Sequence, residues 1–564
     1  MSNRKIVIDP ITRIEGHLRI EVEINEENVV TEAWASGQLF RGIEIILKGR
    51  DPRDVGLIAQ RICGVCTNVH YRASISAVED AYGITIPKNA EIIRNLVALS
   101  LFVQDHLIHY YHLHSLDFVD ITSALEADCA KAEKIAKNYH EHPYHNSQGH
   151  LESVKAKLGG FMKAGRLGLF ANGYWGHETY RLSPEQNLVH MNHYLEALRI
   201  QHDISKAVAI FAGKTPHPQN LVVGGVTSVA DMINPQRLND FLFIIKEVRE
   251  FIERAYIPDM KMIVEAYGET IKVGEGRGAG NFLCCGGYQF GNAKQLFESG
   301  VIVGHNFDAV EPFDDTKITE EASRSWYEDD KAQSPYDTET VPFYTDLNED
   351  GTLKSEGKYS WIKAPRYEGK VMEVGPVARM IMGYLKEESV VKPYMKRFMD
   401  ATKMELIDFS TTVGRNAARA VEAQICCDYL FDFMSDLIEN IKYYDETTWT
   451  KYVFEELPRS AKGRGIFEVP RGILGHFVRI EEAKVANYQV VAPTTWNASP
   501  KGSTGVRGPY EEALIGLKLI DPANPLEVLR VVHSFDPCLA CAVHVIDPQG
   551  RELSQYKIRA VCTV

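Results

Sequence analysis

Two Cys-x-x-Cys pairs stand near opposite ends of the chain, Cys63 and Cys66 in Arg-Ile-Cys-Gly-Val-Cys and Cys538 and Cys541 in Asp-Pro-Cys-Leu-Ala-Cys. This spacing lets the sulfurs of each pair converge on one ion, and a histidine follows each pair, His70 and His544. If all four thiolates serve one buried site, the two ends of a 564-residue chain belong to one interlocked body, residues 1–544, with insertions between them. Soft thiolate ligands favour zinc, iron, nickel or copper over magnesium or calcium. On spacing alone the pairs fit a structural zinc, two redox dithiols or a catalytic metal centre, and zinc is the commonest result of four thiolates. Gly64 and the small Ala540 are expected to permit close approach of backbone and ligand.

The formal net charge of -14 argues against nucleic acid or an anionic membrane surface as a partner. No uninterrupted apolar run reaches the ~18 residues of a membrane-spanning helix, and the first residues carry no apolar h-region of a secretory signal. Export would then depend on another polypeptide. Ten cysteines are too few for a disulfide scaffold in a chain of this length, and the doublets Cys284-Cys285 and Cys426-Cys427 read as small buried hydrophobes.

Alternation in His17-Leu-Arg-Ile-Glu-Val-Glu-Ile and Val29-Val-Thr-Glu-Ala-Trp predicts a strand pair within residues 5–36. From Asp54 to Tyr82 the apolar positions Val55, Ile58, Ile62, Val65 and Val69 fit a helical face, with Gly64 as an interruption and Gly83 as a C-cap. Cys63, Cys66 and His70 would then share one side. Helical spacing also runs from Pro87 to Asp120, over 187–212, 235–267 and 400–443, and these stretches could form a central bundle. Residues 305–370, rich in charges, prolines and aromatics, read as an excursion over the surface, and strand character returns after Phe467. The expected fold is α+β and mainly helical, a central helix bundle with peripheral strands contributed by the N- and C-terminal regions.

Asp9-Pro-Ile-Thr-Arg-Ile-Glu-Gly-His places Glu15 either on a strand surface, the usual fate of a glutamate, or buried beside thiolates as a proton carrier. Asp105, His106, His109, His112 and His114 crowd one helix, where neutral histidines are more often packing residues than ligands. Val469-Pro-Arg-Gly puts Arg471 in a restricted turn that can hold a guanidinium inward, and Ala492-Pro-Thr-Thr-Trp-Asn offers hydroxyl donors on a proline-held backbone.

Together, Arg61-Ile-Cys-Gly-Val-Cys, Asp536-Pro-Cys-Leu-Ala-Cys, Arg13-Ile-Glu-Gly-His and Leu39-Phe-Arg-Gly-Ile-Glu resemble the large subunit of nickel-iron hydrogenase, in particular the membrane-associated uptake type. Asn172-Gly-Tyr-Trp-Gly-His, His217-Pro-Gln-Asn-Leu-Val-Val-Gly-Gly-Val, Val371-Met-Glu-Val-Gly-Pro and Val490-Val-Ala-Pro-Thr-Thr-Trp-Asn extend the resemblance over nearly the whole chain. The resemblance implies that Cys63 and Cys538 are terminal thiolates on nickel and that Cys66 and Cys541 bridge nickel to an iron carrying carbon monoxide and cyanide. Pro470, Arg471, Pro493 and Thr494 would surround those diatomics. Glu44, the carbonyl of Val490 and the imidazole of His544 would hold a magnesium-type ion. Glu15 would be the first proton relay from Cys538, with Asp105 and Asp536 holding Arg471 over the open metal position. The implied reaction is heterolytic splitting or formation of H2, with the proton passing to Cys538.

No spare cysteine set suits iron-sulfur clusters, so an iron-sulfur small subunit is expected, together with a membrane electron-transfer subunit, the pair working at the periplasmic face after export on the partner's signal. The resemblance implies that the mature chain ends at His544. Residues 545–564 are therefore expected to be an extension that a maturation endopeptidase removes after His544 from a cytoplasmic precursor, although Lys557-Ile-Arg-Ala-Val also fits a plain C-terminal strand. A hydrogen-sensing regulatory subunit of the same fold is the main alternative. Such sensors generally lack a cleaved tail, and the related quinone-reductase subunit lacks the four cysteines present here.

Overall fold

The computed structural model describes residues 4–165, 170, 174–291, 294–328 and 330–542, the side chains of Cys541 and Ala542 excepted. Asn172, the Cys541 thiol, His544 and the 545–564 extension therefore lie outside the described residues. The architecture is α+β, with helices outweighing strands.

An antiparallel meander opens the chain: β1 (Arg4–Ile8), β2 (Leu18–Ile24) and β3 (Val30–Gly37). The alternation that predicts β2 and β3 is real, since Leu18, Ile20, Val22 and Ile24 all point into the core. Two of its intervening polar residues, Arg19 and Glu21, are buried too, with Arg19 donating from Nε to Glu21 Oε1 at 2.9 Å. β1 turns the expected pair into a three-stranded sheet, its short Ile6 and Ile8 contributing only a half-buried edge.

The helix expected over 54–82 is broken. A turn at Val55–Ala59 ends before Cys63, whose φ of -130° and ψ of 144° are extended, and Cys66 then caps α1 (Thr67–Tyr82). The break removes the helical geometry that would place Cys63, Cys66 and His70 on one face. Gly83 ends α1 in the left-handed conformation, as the sequence predicts. α2 (Lys88–Leu107) follows Pro87 and widens into a π-helical turn at Ile108–His114. Such widenings cluster at functional sites, and here one lies immediately after Asp105. α3 (Pro184–Ala212) packs along α2 and opens with a full capping box between Ser183 and Gln186.

A hairpin, β4 (Phe282–Phe290) and β5 (Lys294–Ile302), leads to α4 (Pro376–Leu385) and to α5 (Thr412–Tyr443), which lies against α2. α5 starts twelve residues later than the periodicity suggests, because Thr411 N-caps it by accepting from Gly414 N. Between β5 and α4, residues 305–370 are only in part the surface excursion expected: 305–317 and 341–351 stay exposed or half-buried, whereas Trp326, Tyr359 and Glu320 are fully buried. Weak periodicity misled there because an irregular segment can still be packed when its aromatics fill the core and its backbone finds partners.

β6 (Ala461–Val469), β7 (Gly472–Glu481) and β8 (Lys484–Val491) form a second antiparallel meander, the β6–β7 turn consisting of Pro470 and Arg471. After β8 come a short helix, Pro493–Asn497, then α6 (Leu526–Ser534) and a final turn, Leu539–Ala542. β6 lies directly on α1. A Cβ built on Gly465 would stand 2.1 Å from the Ala73 carbonyl oxygen, and one on Gly463 2.2 Å from that of Ala77. Alanines four apart on the helix therefore face glycines two apart on the strand, which brings β6 and β7 close to the Cys66 end of α1. Among the described residues no helix is long and apolar enough to cross a membrane.

Replacing Gly465 with alanine should lower unfolding stability by about 1–3 kcal/mol, the usual result of overpacking a close contact. Urea or thermal unfolding would read it, and a change within about 0.5 kcal/mol would contradict the close packing of α1 on β6.

Candidate metal centre

Residues from both ends of the chain meet at Glu15. Its N–H donates to Pro537 O at 3.3 Å, and its carbonyl accepts from Leu539 N at 2.7 Å. Gly16, with φ of +84°, makes this approach possible: a Cβ there would lie 2.7 Å from Ala540 N and 2.7 Å from Leu539 Cβ. Gly64, expected to serve close approach, has no atom within 4 Å of its would-be Cβ and is exposed, so the crowding falls on Gly16 instead.

This pairing sets Cys538 among the first cysteine pair. Its Sγ is 3.3 Å from Cys63 Sγ and 3.8 Å from Cys66 Sγ, and all three residues are buried. A tetrahedral thiolate site has sulfur–sulfur edges of roughly 3.8 Å, so the three lie at ligand spacing without disulfide bonding. Among the described residues this is the group placed to hold a metal ion. Backbone N–H groups of Val65 and Cys66 point at Cys63 Sγ, at 3.3 and 3.2 Å, and favour its thiolate. Cys66 also sits at the positive end of α1. Cys538 N donates to Thr494 Oγ1 at 3.2 Å.

Glu15 occupies the buried alternative of the two left open by the sequence. Half-buried, it accepts at Oε2 from Ala540 N at 2.9 Å and from the Cys538 thiol at 3.3 Å. Loss of water raises its carboxyl from 4.5 to about 7, and charge on Cys63 adds to the rise.

Arg471 is held between two carboxylates. Nη1 donates to Asp105 Oδ2 at 2.9 Å, and Nε stands 2.9 Å from Asp536 Oδ2. The second contact is an ion pair rather than an aligned hydrogen bond, since both Asp536 oxygens and Arg471 Nε lack a well-directed partner. Asp536 itself adopts φ of +59°, unusual for a non-glycine residue. Beside Cys66 and Cys538 lies a small enclosed cavity walled by Val69, His70, Pro470, Arg471, Leu474, Pro493 and Thr494. Apolar walls with one guanidinium and one hydroxyl suit small acceptor groups carried on a metal.

A second polar cluster forms around Glu44. Its Oε1 accepts from Val490 N at 2.9 Å, and its Oε2 contacts Thr340 Oγ1 and, at 3.3 Å, Lys363 Nζ. Lys363 also donates to Gln489 Oε1 at 2.5 Å. Glu320 belongs to the same buried neighbourhood, its carboxyl raised to about 7 by burial, pulled down by Lys363 and raised by Glu44, and neither of its oxygens has a hydrogen-bond partner among the described residues. The oxygens of Glu44, Glu320, Thr340 and Gln489 suit a hard divalent cation such as magnesium, and the Lys363 ammonium already supplies one positive charge among them. Of this cluster the sequence analysis names Glu44 and Val490, the latter through its carbonyl rather than the N–H that meets Glu44, and does not mark Thr340, Lys363, Glu320 and Gln489. The first three come from the irregular 305–370 segment, where no periodic signal marks them.

The histidine-rich stretch behaves as packing. His106 donates to Glu422 Oε1 at 2.8 Å, His109 to His533 O at 2.7 Å and His114 to Asn416 Oδ1 at 3.0 Å, with burial pushing all three imidazoles toward the neutral form. His70, lowered to about 4 by burial, sits 3.0 Å from His476 Nε2, and His476 in turn reaches the Tyr488 hydroxyl at 2.7 Å.

The model of the nickel-dependent hydrogenase family matches residues 41–544, and a HoxL-like model matches residues 5–35. The chain is 46% identical to the quinone-reactive Ni/Fe-hydrogenase large chain of Wolinella succinogenes over 98% of both chains. It is 42% identical to the uptake hydrogenase large subunit of Rhizobium leguminosarum bv. viciae, over 99% of this chain and 98% of that one. Among solved structures, the Ni-Fe-Se hydrogenase of D. vulgaris Hildenborough in the reduced state superposes with a TM-score of 0.78 at 33% identity, covering 96% of this chain and 100% of that one.

Because the folded chain keeps the Glu15 proton up to about pH 7 while the unfolded chain releases it near 4.5, raising the pH through that window should cost the metal-free protein at most about 3 kcal/mol. Glu15→Gln removes the cost, so its thermal midpoint should fall less than that of the unmodified protein between about pH 5 and pH 8. Parallel curves would contradict the buried setting of Glu15.

Proposed function

The chain belongs to the nickel-dependent hydrogenase family and is an oxidoreductase acting on H2, and from that premise we propose that Cys63, Cys66, Cys538 and Cys541 hold a nickel–iron centre. The convergence of Cys63, Cys66 and Cys538 from opposite ends of the chain, with Glu15 on Cys538 Sγ, carries this reading. Cys63 and Cys538 would hold the nickel, and Cys66 and Cys541 would hold both the nickel and an iron carrying carbon monoxide and cyanide. Pro470, Pro493 and Thr494 wall the space for those diatomics, and Arg471 supplies a fixed positive charge there. Glu44, Val490 and His544 take a magnesium ion, which the orphaned oxygens of Glu320 favour. Helix α2, which carries Asp105 to Arg471, packs against both α3 and α5, a packing that supports the central-bundle reading.

The bound metals supply Lewis-acid polarisation of H2 and a path for its electrons. Everything else falls to the chain. Cys538 Sγ, 3.3 Å from Glu15 Oε2, is placed to hand on a proton, and a carboxyl near 7 can take it and release it again at neutral pH. Asp105 and Asp536 hold the Arg471 guanidinium beside the same sulfurs, so its charge stays fixed during turnover without reorganisation. Enclosure of the cavity excludes bulk water from the sulfurs.

Among the described residues the cysteines outside the centre, Cys129, Cys284, Cys285, Cys426 and Cys427, belong to no group placed to hold a metal, which supports an electron path through another polypeptide. An iron-sulfur small subunit fits that need. Ile45 and Ile46 in the turn Ile43–Leu47 and Leu57 in the turn Val55–Ala59 are exposed and offer apolar surface to such a partner. A membrane electron-transfer subunit at the periplasmic face completes the proposal, in keeping with the quinone-reactive name of the Wolinella relative. Residues 545–564 are proposed to be removed after His544 by an endopeptidase.

Co-purified with its partner, the enzyme should reduce an artificial dye under H2. Glu15→Gln should keep its nickel and iron while losing about 10²–10⁴-fold of that activity, the range of a lost proton-transfer group. Undiminished turnover in the variant, or none in the unmodified metal-loaded complex, would count against the reading.

A further inference from the structure

Arg379, on α4, is fully buried and touches neither the thiols nor the cavity beside them. Its guanidinium uses every N–H it has. Nε donates to Glu422 Oε2 at 2.7 Å and Nη2 to Glu422 Oε1 at 2.6 Å, while Nη1 donates to Glu468 Oε2 at 2.6 Å. The two remaining donors go to backbone: Nη1 to Val469 O at 3.0 Å and Nη2 to Pro470 O at 2.8 Å. Those carbonyls belong to the two residues immediately before Arg471. Phe102 and Phe297, stacked on each other with ring centroids 5.6 Å apart, pack against one side of the guanidinium at 5.2 and 5.1 Å.

A second contact reaches the same turn from the start of the same helix. Gly375, at φ +122°, lies against the Arg471 carbonyl, so that a Cβ there would stand 2.8 Å from Arg471 O. On the other side Gly472, at φ +136°, lies against Val374, where a Cβ would come within 2.4 Å of Cγ2. The run Met372-Glu-Val-Gly-Pro therefore forms a cradle under the β6–β7 turn, and Asn497 fixes its Val374 peptide at both N–H and carbonyl. None of this is needed to build the thiolate site itself.

Resting on the nickel–iron reading above, we propose that Arg379 is a positioning residue for the reaction: with Gly375 it fixes the Pro470–Arg471 turn, and through that turn the distance of the Arg471 guanidinium and the Pro470 ring from the metals. Glu422 extends the linkage, since it also binds His106, the neighbour of Asp105, so both ends of the Arg471–Asp105 ion pair are set from one buried guanidinium. The planar fork matters more than the charge. A lysine would still neutralise the carboxylates, but a single ammonium with three donors cannot also hold two successive carbonyls.

Infrared spectra of the metal-loaded complex test this with Arg379→Lys and Gly375→Ala, because carbon monoxide and cyanide stretches report the field in the cavity that Pro470 and Arg471 line. Both variants should keep the nickel and iron content of the unmodified enzyme, shift those bands, and lose about 10–100-fold in kcat, the range seen when partners behind a metal's ligands are removed. Gly375→Ala displaces the same turn by a different atom, so it carries the test if the lysine variant does not accumulate. Bands and kcat matching the unmodified enzyme in whichever variant folds would overturn the inference. Diatomic bands missing from the unmodified enzyme would instead overturn the nickel–iron reading, and the inference with it.

Discussion

Two backbone hydrogen bonds, Glu15 N to Pro537 O and Leu539 N to Glu15 O, join segments of the chain more than 520 residues apart in sequence, and the candidate centre depends on them. They fix Glu15 against Cys538 and, through Cys538, against Cys63 and Cys66. The approach is possible only because residue 16 lacks a side chain. Behind it stands a buried ionic support: Asp117 accepts from Arg13 and, at 2.6 Å, from His533 Nδ1, whose other nitrogen reaches Thr12 O at 2.8 Å. The segment just before Glu15 and the helix just before Asp536 are thus tied to one carboxylate. Removing one member of so buried a network leaves an uncompensated charge, which costs far more than a surface pair would.

Charge is handled similarly around the thiols. Arg471 meets two carboxylates and Arg379 meets two more, all buried, so positive charge near the sulfurs is fixed by packing instead of by solvent. Thiolates and a carboxyl poised near neutrality can coexist there because backbone N–H groups, a helix N-terminus and Arg471 offset the negative charge. Burial pushes His106, His109 and His114 toward the neutral form, in which they serve as hydrogen-bonded packing.

Much of the site was legible because its signals are local. Cysteine spacing, the Pro-Arg-Gly turn and the Arg-Ile-Glu-Gly-His run each mark a short backbone device whose residue types are dictated by geometry. Long helices were legible from their period, since α2, α3 and α5 each bury a continuous apolar face. The break at Cys63–Cys66 was only half legible: Gly64 hinted at it, but an extended Cys63 followed by a cysteine N-cap leaves the apolar spacing unchanged on both sides. Glu320, Thr340 and Lys363 were not legible at all. Their burial depends on partners far away in sequence, Glu44 and Gln489 among them, and no pattern within the 305–370 segment records those contacts. Arg379 was equally silent, since an arginine in an apolar helix reads as a surface residue until both its carboxylate partners are in place.

The central claim is that thiolates from both ends of one chain share a nickel–iron centre, and X-ray absorption at the nickel edge of the purified, processed complex tests it most directly. The account predicts a nickel shell of sulfur ligands with an iron scatterer close by, both lost when Cys538 is replaced by serine. Nickel coordinated by nitrogen and oxygen, or zinc in the sulfur site with no nickel present, would contradict it.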